Sequence, residues 1–306
     1  VSDDAQDREV EKEEIQDADE VDRTRAGAAD GHLAGTAQHR SLGPALVLTA
    51  VELTVLEEAH ARGLSAQASA PGFTGSEEVP DTGPVDAGPT GAEPNDAGWS
   101  QARWSLVARG LLTTDGGLPE DTDLGRLLQT LLDVRLAAAA LVVVERLVGD
   151  GRRDVRLLHL VPQGGVVEDV HPEGLHGLDL MLSADRLVAA VTEMLVPADA
   201  RAGDGPEVTA DLAGAAARPG AADASVLLPA LLHHPTVLAE LTMVRPQHEA
   251  TGHLVALGPG GCWAGPTPSG LGLLRLSPVG PGWVGEVATS WVQDVVGVPG
   301  GGTMAG

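Results

Sequence analysis

Leu127-Leu128-Gln129-Thr130-Leu131-Leu132, within a stretch running from Leu124 to Pro197, returns in degraded form as Leu227-Leu228-Pro229-Ala230-Leu231-Leu232. Two more echoes follow in the same order. The turn Pro162-Gln163-Gly164-Gly165 is answered by Gly258-Pro259-Gly260-Gly261, and Leu180-Met181-Leu182-Ser183 by Leu274-Arg275-Leu276-Ser277. Each half then closes with an amphipathic helix, expected over Leu187 to Leu195 and Trp283 to Val295. A unit of helix, strands and helix repeated once predicts two halves built on one plan.

Inside the first copy, Leu124, Leu127, Leu128, Leu131 and Leu132 form one apolar helical stripe, preceded by Pro119-Glu120-Asp121, whose acids suit a helix N-terminus. Ala139 to Leu147 and Val155 to Val161, joined by Gly149-Asp150-Gly151, read as an antiparallel hairpin. Strands at Val166 to Val170 and Leu178 to Leu182 extend it into a meander, and Ser183 is placed to cap the helix of Leu187, Val188, Val191 and Leu195.

In the second copy we expect helices at Val208 to Ala217 and through Leu227 to Leu232, where Pro229 delays or kinks the start. Strands follow at Val237 to Val244, Leu254 to Leu257 and Leu271 to Leu276. In the last helix Trp283, Val284, Val287, Ala288, Trp291, Val292 and Val295 make a wide apolar stripe for the core, with Pro281 in its first turn. An exposed Trp283 or Trp291 edge would instead anchor a partner.

Upstream, Thr49-Ala50-Val51-Glu52 has capping-box spacing, and Val51, Leu53, Leu56 and Ala59 continue it to a stop at Arg62-Gly63. A second helix fits Ser100 to Arg109, with Trp104, Val107 and Ala108 inward and Gly110 ending it, before the turn Thr114-Asp115-Gly116-Gly117. Residues 65–98 are Pro, Gly, Ala, Ser and acids without periodicity, a flexible loop. Residues 1–42 read as a disordered acidic tail, and 298–306 as a Gly-rich one. Residues 1–22 alone hold eleven acidic groups against Arg8 and Lys12.

The net charge of −25 repels phosphate backbones and anionic membranes, so nucleic acid is disfavoured. Cys262 stands alone, which excludes an intrachain disulfide and a cysteine-built zinc site. No apolar run reaches the ~18–20 residues of a membrane span, which makes a cytoplasmic protein the default. His171 and His176 are five apart with Pro172 and Gly174 between them, unlike a zinc protease helix, and adjacent His233-His234 point to different sides. Gly258-Pro259-Gly260-Gly261 lacks the Lys-Ser/Thr of a phosphate loop and reads, like its partner, as a hairpin turn. Cys262 beside Trp263 suits a buried thiol. The sequence therefore offers no catalytic, cofactor-binding or metal-ligating set, and the protein is expected not to be an enzyme. Helix, loop and helix between Ala45 and Gly117 also fit part of a winged-helix unit, an acidic DNA-binding transcriptional regulator, although Arg103 and Arg109 are the only basic groups on its would-be recognition helix.

Leu48-Thr49-Ala50-Val51-Glu52-Leu53, Ala108-Arg109-Gly110-Leu111, the Leu-rich helix from Leu124 and the paired strand-rich halves together resemble the EspG family of actinobacterial ESX (type VII) secretion-associated chaperones, across roughly residues 45–295. The resemblance implies quasi-twofold halves around a central antiparallel sheet and a non-enzymatic chaperone binding helical substrates, PE–PPE-like or WXG100-like, in the cytosol. It carries over no residue roles. The acidic tail and loop 65–98 depart from the family pattern.

The fold expected is therefore α+β, a quasi-twofold repeat of helices and antiparallel strands sharing a central antiparallel sheet flanked by helices. One domain spans 43–297, with halves near 43–197 and 206–297. Protein binding is expected from apolar groups beside the Gly-Gly hairpins or on the closing helices: Gly164, Gly165, Val188, Gly260, Gly261, Trp263, Trp283 and Trp291.

Overall fold

The computed structural model describes residues 45–68, 96–148, 152–211, 235–268 and 272–296. The chain opens with β1 (Leu46–Thr49), α1 (Ala50–Ala68), α2 (Asp96–Ala108) and α3 (Asp123–Leu136). The meander β2 (Ala140–Val148), β3 (Arg153–Val161), β4 (Gly164–Val170) and β5 (Leu175–Met181) follows, then α4 (Ala184–Leu195). The second half contributes β6 (Val208–Asp211), β7 (Val237–Val244), β8 (Thr251–Gly258), β9 (Gly261–Pro266), β10 (Leu273–Val279) and α5 (Trp283–Gln293). All ten strands form one sheet in the order β1-β5-β4-β3-β2-β7-β8-β9-β10-β6, and every pairing is antiparallel.

The fold class is the expected one. Pro162 and Pro259 occupy equivalent turns, since Val161 pairs Gly164 just as Gly258 pairs Gly261. Gly164 and Gly261 both hold positive φ, 148° and 130°, and an added Cβ would lie 2.5 Å from the Met181 carbonyl oxygen or 2.6 Å from the Trp263 ring. The repeat is thus one residue out of step with the motif match Gly164-Gly165 to Gly260-Gly261. It is further out at β5, where Leu178, not Leu182, corresponds to Leu276. Carried into the centre, the register makes Val144 the counterpart of Leu241, and these two pair with each other. The pseudo-twofold axis passes through that pair.

Alternation along the strands separates two faces. α4 and α5 lie on one, over Val142, Val144, Leu158, Leu241, Val255 and Leu257, each at most 2% exposed. On the opposite face α1, α2 and α3 roof the first half only, closing over Leu128, Leu131, Val166 and Leu178. A smaller cluster of Ala256, Trp263, Leu274 and Leu276 fills that face of the second half.

The Thr49 box forms as expected: Glu52 N donates to Thr49 Oγ1 at 3.2 Å and Thr49 N to Glu52 Oε2 at 2.9 Å. Thr122 caps α3 by accepting from Gly125 N at 2.9 Å. Other local expectations are corrected. α1 runs through Gly63 to Ala68, because an exposed interior glycine costs only about 1 kcal/mol and nothing here demands a turn. Trp104 points outward at 68% exposure, since Ala102 and Leu106 set the buried stripe and Trp104 lies about 200° round the helix from Ala102. Ser183 precedes α4 without a side-chain cap bond, and Pro281 lies in the turn before α5. Val208 to Asp211 form a strand, not a helix, drawn onto the free edge of β10. The expected helix at Leu227 to Leu232, His233-His234, Gly149-Asp150-Gly151, both tails and residues 69–95 lie outside the described residues.

Candidate functional site

β2 and β7 meet at the middle of the sheet, and their two faces differ. Toward α4 and α5, Ala140, Val142, Val144, Val237, Ala239, Leu241 and Met243 are at most 5% exposed. On the opposite face Leu141, Val143, Glu145 and Leu147 of β2 and Leu238, Glu240 and Thr242 of β7 are only half-buried, as are Val155 and Leu157 of β3 and Leu254 of β8. This strip lies between the α1–α3 roof and the Trp263 cluster, and Val244, 41% exposed, stands at one end. A sheet whose strands are apolar on both faces normally has both faces covered.

The strip's polar groups sit beside the axis. Glu145 faces Glu240 directly across β2 and β7, bracketed by the pairs Leu147–Leu238 and Val143–Thr242. Arg153, its side chain 65% exposed, contacts Glu145. Thr242 donates its hydroxyl to Glu240 Oε1 at 3.3 Å. Among the described residues no cation is paired with Glu240.

A buried ionic cluster fixes the roof beside the strip. Glu168, 1% exposed on β4, accepts from His159 Nε2 of β3 at 2.9 Å, His176 Nδ1 of β5 at 2.6 Å and Arg135 Nε of α3 at 3.0 Å. Arg135 also reaches Glu57, which ties α1 to the same point. Burial opposes ionisation of Glu168, but the two histidines and Arg135 outweigh it and hold the carboxyl below the usual carboxylate range. Glu52 is treated likewise: burial is outweighed by the Ser105 hydroxyl at 2.6 Å, the Thr49 amide and Arg109. Arg109 also donates to the Val47 carbonyl and Arg103 to that of Thr114, so both arginines of the DNA-binding alternative are engaged within the fold.

The residues expected from sequence to bind a partner do not form one patch. Gly164-Gly165 and Gly260-Gly261 belong to hairpins at opposite ends of the sheet. Trp263 is 3% exposed on the face opposite α5. Val188 and Trp283 pack half-buried against the α4–α5 core, and Trp291 is 7% exposed within it. Trp283 and Trp291 enclose His253, one edge-on at 5.3 Å and the other stacked at 5.6 Å, and burial lowers the His253 pKa. The sequence does carry one sign of the strip: Ala140-Leu141-Val142-Val143-Val144 is apolar on both faces. The opposition of Glu145 and Glu240 has no local sign.

An open cleft of about 670 Å³ between α1 and residues 113–122 is lined by His60, Arg62, Asp115, Glu120 and Asp121, among others. Among the described residues no three His, Cys, Asp or Glu side chains are placed to hold a metal ion, and no helix is long and apolar enough to cross a membrane.

No family model and no curated protein matches this chain. Among solved structures, it is similar to the type VII secretion system chaperone EspG5 of Mycobacterium tuberculosis, solved in complex with a PE25-PPE41 dimer. The two are 12% identical, with 82% of this chain and 96% of that chain covered and a TM-score of 0.48. The chaperone so found carries the name of the family that the sequence resembles.

Proposed function

We propose that this protein is a non-enzymatic chaperone or adaptor that holds a helical secretion substrate on the partly exposed central strip. The observation that carries the reading is the strip itself: Leu141, Val143, Leu147, Val155 and Leu157 remain partly exposed in mid-sheet, with Leu238 at the border of the Trp263 cluster, while Ala140, Val142, Val144, Leu158, Ala239 and Leu241 on the other face are buried. Covering apolar surface of this kind drives association, and an amphipathic helix laid by its apolar face on such a surface is a common solution. The substrate class, a PE–PPE-like pair or a WXG100-like protein met in the cytoplasm before export, rests on the sequence resemblance.

The test is co-expression with a PE–PPE pair encoded in the same genome, followed by gel filtration. We expect a complex with the wild type and none with Leu141→Asp/Leu238→Asp, whose folding is checked by circular dichroism. An intact complex with a folded double variant would remove the strip from the interface. A WXG100-like protein in the same assay decides between the two substrate kinds.

A further inference from the structure

We infer that the strip selects a partner helix carrying a lysine or arginine in the middle of its apolar contact face, received between Glu145 and Glu240. The inference rests on the docking reading above and adds the partner's chemistry to it.

The argument begins with placement. Two carboxylates directly opposite on neighbouring strands repel, with Cβ atoms about 4.5–5.5 Å apart. Arg153 relieves Glu145 from a mostly exposed position, where an ion pair contributes little. Glu240 has the Thr242 hydroxyl alone among the described residues. The free protein thus holds an incompletely balanced negative site ringed by Leu147, Leu238 and Val143. A partner that covered this ring with apolar groups only would take Glu240 out of water without a counter-charge, which is costly. A helix bringing one basic side chain avoids that loss. Its aliphatic stem lies along Leu238 and Val143 while its charge reaches both carboxylates, the usual division of labour in a long basic side chain. The same requirement rejects purely apolar and acidic helices, so the pair acts as a specificity device on an otherwise undiscriminating surface.

The test uses two synthetic helical hairpins of Leu and Ala that differ at one central tip position, Lys in one and Gln in the other. Binding is read by calorimetry and by amide resonance shifts on β2 and β7. We expect the Lys hairpin to bind the wild type about tenfold tighter than the Gln hairpin, an advantage that Glu145→Gln/Glu240→Gln abolishes without weakening the Gln hairpin. Equal binding of both hairpins to the wild type, with shifts on β2 and β7, would overturn the charge selection and leave the docking strip standing. A Lys preference that survives in the double variant would overturn it too, by assigning the preference to the protein's overall negative charge. Absence of β2 and β7 shifts with either hairpin would overturn both readings.

Discussion

Beneath α3 in the first half lie His159, Glu168 and His176; the register puts Ala256, Gly265 and Leu274 at the equivalent places in the second half. On the other face Arg156, which pairs with Asp169 and donates to the Ala190 carbonyl of α4, corresponds to His253, held between the Trp rings of α5. The halves share strand order, turn geometry and the placement of the closing helix on an apolar core, but the first adds ionic contacts at positions where the second has apolar and aromatic ones. The backbone plan therefore does not depend on which kind of contact fills it. What differs is how each half fails: removing one member of a buried ionic set strands the others, whereas an apolar cluster loses only the contacts removed.

The largest expected effect breaks the ionic half. Glu168→Ala leaves Arg135, His159 and His176 without their shared acceptor and is expected to cost about 3–5 kcal/mol, read from urea unfolding. A loss below 1 kcal/mol would mean that water enters freely beneath α3 and that the contrast between halves is one of side-chain names only.

A smaller effect sharpens the comparison through pH. His253 has a folded-state pKa lowered by burial, so the unfolded chain takes up its proton first and stability falls as pH drops below the ordinary value of 6.5. Glu168 is also depressed, so its contribution is full above the ordinary value of 4.5 and is lost as pH falls below it. The second half should thus begin to lose stability at higher pH than the first. His253→Phe keeps the ring contacts, removes a buried Nδ1 that has no partner, and is expected to raise stability at pH 7 by about 1 kcal/mol while flattening the loss between pH 7 and 5. An unchanged slope in that variant would assign the titration to another histidine.

The smallest effect lies where the halves join. Glu240→Gln relieves the repulsion with Glu145 and is expected to stabilise the free protein by about 0.2–1 kcal/mol, measured as a shift in urea midpoint at low salt. Destabilisation instead would show that Glu240 is balanced in the free protein.

Much of the plan was legible in the sequence because it depends on short-range physics. The capping box at Thr49, the stripe of α3 apart from Leu124, which is exposed, the β2–β3 hairpin and β7 over Val237–Val244 all follow from spacing and alternation. Trp104 was misread because helical phase there is decided by which side meets α1, and the local pattern fits more than one phase. β1 and β9 were missed because a short edge strand and a run of small residues after a glycine turn carry little pattern. The binding residues chosen from sequence favoured tryptophans and glycines, residue types that here serve the core and the turns.

By itself the sequence determined that two similar halves exist, where most of their strands turn, and that this chain has more apolar strand surface than one covered face requires. Only the tertiary structure decided that α1–α3 roof the first half, that among the described residues no helix covers the strip on the axis, and that Glu145 meets Glu240 across it. The physical reason is range. Caps, turns and alternation are settled among residues a few positions apart, whereas the pairing of β2 with β7 depends on how both halves bury their other faces beneath α4 and α5.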